Sequence, residues 1–205
     1  MSAAPVIHVV DDDDSLRAAL LRLIGAAGFE ARGYASAGDF LLQPPAEGPG
    51  CLLLDLRMPG PSGLDLQAAL QRQGIDLPVV FMTGYADVAS SVRAMKAGAV
   101  DFLTKPVERD ALFDALHRAL ARDSAQRLVG AEAQTLRARF ESLRPREREV
   151  FDRIVAGRLN KQIADELGIS ERTVKMERAQ VMAKLGVGSA AELGRLSERL
   201  RYLSD

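Results

Sequence analysis

The sequence predicts an α/β doubly wound domain with a five-stranded parallel sheet, followed by a small all-α domain. Three observations carry this. Over residues 1–122, short apolar runs alternate with helix-period segments, the pattern of parallel strands joined by crossover helices. From Pro145 onward the pattern is helical throughout, with Gly157 and Gly168 placed as stops. Charge also changes along the chain: residues 1–122 hold 11 Lys/Arg and 15 Asp/Glu, residues 123–143 hold 3 and 3, and residues 144–205 hold 13 and 10. An acidic front and a mildly basic back predict two domains with different partners. The basic excess is too small to establish nucleic-acid binding by itself.

The strands are read from the apolar runs at 6–10, 30–34 (the weakest), 51–55, 78–82 and 100–103. Between them, Leu16, Leu20, Leu23 and Ile24 mark the first helix, and Leu64, Leu66, Ala69 and Leu70 the third. Leu112, Leu116 and Leu120, spaced by four, mark the last. Residues 123–143 are polar and free of proline. Val129, Ala133, Leu136, Phe140 and Leu143 fit either a short seam for another helix or, more simply, a connector helix resting on its own domains. Gly130 weakens either by about 1 kcal/mol. The domains are therefore placed at 1–122 and 144–205, with a helical linker at 123–143. In the second domain the expected helices are 146–156, 160–167, 171–185 and 189–203, with Ser170 as a cap and Ser189 with Glu192 as a capping box.

Composition sets outer limits. Of 205 residues, 47% are apolar and 27% charged, ordinary for a soluble globular chain. No stretch approaches the roughly 18 apolar residues of a membrane span, and no basic leader precedes the first strand. A cytoplasmic location without membrane partners is expected. Cys51 is the single cysteine, which excludes an intramolecular disulfide and marks a core filler.

The chemistry lies at the strand ends. Val6–Val10 runs into Asp11–Asp14, Cys51–Leu54 into Asp55, and Phe102–Thr104 into Lys105. Ligands of open parallel sheets bind outside the carboxyl ends of the strands. Two strands ending in acid and one in lysine can converge there on a divalent cation, a nucleophilic carboxylate and a fixed cation. Phosphoryl transfer to an aspartate needs this set, because catalysis is mostly positioning and charge stabilisation. Asp11 and Asp12 can serve Mg²⁺, with Asp55 and the backbone carbonyl of Arg57 also in reach. Asp55 is the candidate nucleophile, Thr83 offers a hydroxyl and Lys105 an ammonium. Asp13 and Asp14 are read as a solvated loop capping the next helix at Ser15, His8 as packed or partnered rather than a ligand, and His117 as a helix residue with no second metal-ligand partner.

These segments (VVDDDD, LLLDLRMPG, FMTGYAD and MKAGAVDFLTKP) make residues 1–122 resemble the flavodoxin-like receiver domain of two-component response regulators. The resemblance implies Asp55 as phospho-acceptor, Asp11 and Asp12 as metal-side acids, and Thr83 and Lys105 as the family's donors. It further implies Phe102 as aromatic switch and a cis bond before Pro106. A dimer face with Val92, Met95, Lys96, Phe102 and Arg109 is likewise implied by the family.

Gln162–Leu185 reads as helix, turn, helix, whose second helix can enter the major groove. On a helical wheel Val174, Val181 and Leu185 share one face, while Arg172, Lys175, Met176, Ala179 and Ala183 share the other. With LRPREREVF, AGRLNKQIADELGISERTVK and VMAKLGV, segment 143–203 resembles the LuxR-type domain of NarL/FixJ response regulators. Arg144 stands where that family usually has Thr or Ser, so a cap worth about 1 kcal/mol is expected to be missing. Glu177 replaces a common His at the edge of the core face. Base readout is expected from Arg172, Lys175 and Gln180, with Met176 and Ala179 beside them. The resemblance thus implies a bacterial transcriptional response regulator, not an enzyme. By the same resemblance a sensor histidine kinase is expected to phosphorylate it with Mg²⁺, and it is expected to bind promoter DNA as a dimer on phosphorylation. A protein-interaction adaptor and a metal-dependent phosphatase are the alternatives.

Overall fold

The computed structural model describes residues 4–43, 48–84 and 88–202. The chain divides into two compact units, Met1–Arg127 and Leu128–Asp205. In the first, β1 (Val6–Val10), β2 (Glu30–Tyr34), β3 (Gly50–Asp55), β4 (Val79–Thr83) and β5 (Asp101–Thr104) form one parallel sheet in the order β2-β1-β3-β4-β5. They alternate with α1 (Asp14–Ala26), α2 (Ala37–Leu42), α3 (Gly63–Arg72), α4 (Val88–Lys96) and α5 (Arg109–Glu141). This is the doubly wound, flavodoxin-like topology expected, with the strand order reversing beside β1 and β3.

Every residue of β3 is buried. Leu52 and Leu54 pack with Val10, Leu66 and Phe81 on one side of the sheet, and Cys51 and Leu53 with Ile7, Val80, Met82 and Leu116 on the other. Burial on both faces explains the continuous apolar run. Edge strand β2 buries only Tyr34, which explains its weak signal. Asp13 caps α1 by accepting the N–H groups of Ser15 and Leu16, so the helix begins at Asp14, one residue before the expected cap point.

Helix α5 continues unbroken across residues 122 and 123 to Glu141. A Cβ on Gly130 would meet nothing within 4 Å, so that glycine carries a propensity cost and no packing role. Within the first unit, buried Asp123 accepts the Gly50 N–H at 3.1 Å and the Arg127 guanidinium at 2.9 Å. Within the second, Leu136 and Leu143 are buried and Phe140 is packed beside them, while Val129 is exposed. The apolar spacing therefore serves packing within the helix's own unit along its second half.

The second unit adds α6 (Pro145–Val155), α7 (Asn160–Leu167), α8 (Glu171–Leu185) and α9 (Ala190–Tyr202) around Val150, Phe151, Ile154, Ile163, Val174, Val181, Leu185 and Leu193. Gly168 and Gly186 close α7 and α8 in the left-handed conformation, at φ 64° and 70°. Ser170 Oγ accepts the Thr173 N–H at 3.1 Å. Ser189 Oγ accepts the Glu192 N–H, but the Glu192 carboxylate takes the N–H of Gly188 rather than that of Ser189, so the expected box is shifted by one residue. Residues 85–87 of FMTGYAD and the expected helix end at 203 lie outside the described residues. Among the described residues, no helix is long and apolar enough to cross a membrane.

Candidate functional site

Pairing of β1 with β3 sets Val10 opposite Leu54, so Asp11 and Asp55 leave adjacent strands side by side at the carboxyl edge. Lys105, just past β5, reaches both: its Nζ lies 2.8 Å from Asp11 Oδ2 and 2.9 Å from Asp55 Oδ2. Asp11 and Asp55 are buried and Asp12 is exposed, and one carboxylate oxygen of each lies within 4.8 Å of the others. Asp11 Oδ1 accepts the Asp13 N–H at 2.9 Å, and Asp55 Oδ1 the Arg57 N–H at 3.4 Å. Thr83 is fully buried at the end of β4, and its carbonyl accepts the Lys105 N–H at 2.6 Å. The Lys105–Pro106 bond is cis. Phe102 is half-buried, its ring centroid 6.4 Å from that of Phe81.

The electrostatics follow from this crowding. Burial, the largest influence, raises the Asp55 carboxyl above its ordinary range, and Lys105 opposes it. Burial works against the Lys105 ammonium too, but hydrogen bonds to Asp11 and Asp55 outweigh it and hold its pKa above the ordinary value. Clustered hard oxygen donors with one solvent-facing member suit Mg²⁺, which keeps part of its water shell.

The neighbouring acids and the histidines sit apart from this chemistry. Asp13 serves as the α1 cap, and Asp14 pairs with Arg17 on the surface. His8 is buried with Nδ1 3.0 Å from the Tyr34 hydroxyl, and His117 lies against the ring of Phe29.

On α8, Val174, Val181 and Leu185 are buried, while Arg172, Lys175, Met176, Ala179 and Ala183 are exposed. Gln180 is half-buried between the two faces. Glu177 is buried beneath the exposed face. Arg144 caps α6 without a side-chain bond to it, and Glu147 accepts the Arg144 N–H at 2.7 Å instead. The Arg144 guanidinium turns to α8, where it lies 3.4 Å from Glu177 Oε2 and donates to Gln180 Oε1. This link was missed in the sequence, although Arg144 and Glu177 both stood out there; their opposite charges were its available signal.

A carboxyl-edge acid cluster bridged by lysine, carried on one chain with a helix-turn-helix unit, defines the transcriptional response regulators. Residues 7–117 match the response regulator receiver domain family, and residues 141–197 the bacterial regulatory proteins, luxR family. Nodulation protein W of Bradyrhizobium diazoefficiens is 43% identical over 199 residues, covering 97% of this chain and 88% of that protein. The transcriptional regulatory protein FixJ of the same species is 42% identical over 199 residues, covering 97% of each. The solved structure of response regulator StyR is similar at a TM-score of 0.85 and 45% identity, covering 96% of this chain and 100% of that one. The chain belongs to the NarL/FixJ family of two-component response regulators.

Proposed function

We propose that Asp55 accepts a phosphoryl group from a sensor histidine kinase and that this modification controls binding of promoter DNA by the C-terminal domain. The observation that carries the reading is the Lys105 ammonium, held 2.8 Å from Asp11 and 2.9 Å from Asp55 at the switch point of the sheet. The functional division is a receiver at 1–122, a helical linker at 123–143 and a DNA-binding domain at 144–205, supported by the family matches at 7–117 and 141–197.

In the transfer, an Asp55 carboxylate oxygen attacks phosphorus, the P–N bond to the kinase histidine breaks, and an acyl phosphate forms as the imidazole leaves with its electron pair. Asp11, Asp12, Asp55 and the Arg57 carbonyl would hold Mg²⁺, which supplies charge neutralisation for the phosphoryl oxygens. Lys105 takes up remaining charge, and the Thr83 hydroxyl binds a phosphoryl oxygen. Capture of Thr83 biases the Phe102 ring inward, and a face including Val92, Met95, Lys96, Phe102 and Arg109 pairs with a second copy. Val92, Met95, Lys96 and Arg109 are exposed, as pairing requires. The outer face of α8, with Arg172, Lys175, Met176, Ala179 and Gln180, then reads DNA half-sites.

Phosphate-affinity gels of wild type and Asp55→Asn, after incubation with acetyl phosphate and Mg²⁺, test the receiver half. A retarded band is expected for wild type and none for the variant. A band that persists in Asp55→Asn places the acceptor elsewhere.

A further inference from the structure

Gln180 lies at the flank of the outer face of α8, beside exposed Met176, Ala179 and Ala183. Its side chain is already engaged, because Arg144 Nη2 donates to its Oε1. A guanidinium carries donors only, so the amide atom that faces it must be the oxygen. Arg144 is itself held from behind by two buried carboxylates, with Nη2 3.2 Å from Glu147 Oε1 and 3.4 Å from Glu177 Oε2. Glu147 is fully buried and fixed in turn by Lys184 Nζ at 2.6 Å and by the Arg144 N–H at 2.7 Å. The guanidinium thus bridges the start of α6 to α8 and fixes which end of the Gln180 amide is free.

The free end decides which base it can read. A glutamine recognises adenine by accepting from N6 and donating to N7 at once. Arg144 holds one of the two lone pairs of Oε1, so any second donor must share that oxygen with a cation already bound to it. The N–H donors suit the O6 and N7 acceptors of guanine or the O4 of thymine, whereas the paired adenine contact needs the shared oxygen and is weakened relative to these. We infer that Arg144 is a positioning residue for DNA specificity, which biases Gln180 toward donor contacts and disfavours adenine at the base pair that Gln180 faces. The inference rests on DNA binding by α8 as proposed above.

Selection from randomised duplexes by the full-length protein, treated with acetyl phosphate and Mg²⁺, tests it. Four proteins are compared: wild type, Arg144→Ala, Gln180→Ala and the double variant. Arg144→Ala is expected to gain a preference for adenine at one position of each half-site, by at least about fivefold. That gain is expected to vanish in the double variant. If Arg144→Ala folds poorly, Arg144→Ala with Glu177→Ala removes both members of the pair, leaves no buried charge unpartnered, and is expected to gain the same adenine preference. Affinity that falls equally on all sequences with preferences unchanged would make Arg144 a structural or phosphate-contacting residue and overturn the inference. So would an adenine gain that persists without Gln180. Wild type that selects no sequence at all overturns the DNA reading itself, an outcome separate from any effect of Arg144.

Discussion

The carbonyl oxygen of Asp55 lies 2.4 Å from the point where a Cβ on Gly63 would stand. Phe81 and Leu54 close the same space at 3.0 and 3.1 Å, and the Gly63 N–H donates to the Leu56 carbonyl at 3.1 Å. The first residue of α3 is therefore pressed against the end of β3 that presents the candidate phospho-acceptor. Backbone cannot yield as a flexible side chain would, so any side chain here must move the helix or the strand end.

Gly63→Ala is accordingly expected to destabilise the receiver by about 1–3 kcal/mol through overpacking and to slow phosphoryl uptake by displacing Asp55. Gly130→Ala is the contrasting substitution. Its Cβ meets nothing within 4 Å inside α5, so it is expected to stabilise by about 0.5–1 kcal/mol. Thermal melts with timed phosphate-affinity gels check both. A fall in Tm for both variants would remove close approach as the reason for glycine at position 63.

Mg²⁺ is expected to raise the Tm of wild type and to do so much less for Asp12→Ala. The oxygens of Asp11, Asp12 and Asp55 lie within 4.8 Å of one another, and clustered carboxylates favour a cation. Binding to the folded state alone stabilises by about 2.7 kcal/mol at a hundredfold excess over Kd. Melting curves across a Mg²⁺ titration measure this directly. Identical shifts for wild type and Asp12→Ala would remove Asp12 from the metal site.

His8 gives the receiver an acid-sensitive element away from the candidate phosphorylation site. Burial, and next the charge of Arg32 beside it on β2, lower its pKa from 6.5 to about 4, with Glu30 opposing. Its folded pKa lies below its unfolded one, so the unfolded chain binds the extra proton between those values. Stability is whole above pH 6.5 and is lost as pH falls from 6.5 toward 4. His8→Gln keeps a polar partner for the Tyr34 hydroxyl and does not titrate. Between pH 6.5 and 4.5 its Tm is expected to fall less than that of wild type. Parallel curves would assign the acid sensitivity to other groups.

The sheet and its acid cluster were legible for one reason: burial on both faces makes β1, β3 and β4 read as unbroken apolar runs, and the candidate site residues follow those runs directly. Asp11, Asp55 and Lys105 needed only the rule that strand ends converge. Edge strand β2 was faint because EARGY faces solvent along most of its length. The continuity of α5 was hidden because polar residues from 123 onward and Gly130 resemble a linker, and a solvated helix needs no apolar stripe through its middle. Contacts between distant polar residues left no periodic trace. Asp123 reaches the Gly50 backbone across 73 positions and Arg144 reaches Glu177 across 33, and side-chain reach sets both pairings.

DNA binding is expected to depend most on Lys175, with Arg172 second. Both are exposed near the start of α8, where side chains of a recognition helix reach base edges. Loss of a base contact costs about 1–3 kcal/mol and relaxes preference at one position, whereas loss of a phosphate contact weakens all sequences alike and flattens the salt dependence. Lys175→Ala is therefore titrated on selected and random duplexes at two salt concentrations, and the pattern of loss identifies the contact. Glu177→Ala is expected to act differently. Glu177 is buried and partnered by Arg144, so its removal lowers Tm more than it lowers affinity, and it releases Arg144 from one of its anchors. Unchanged affinity of Lys175→Ala for both duplexes would take α8 out of the DNA interface and favour a protein-binding role for the helical domain.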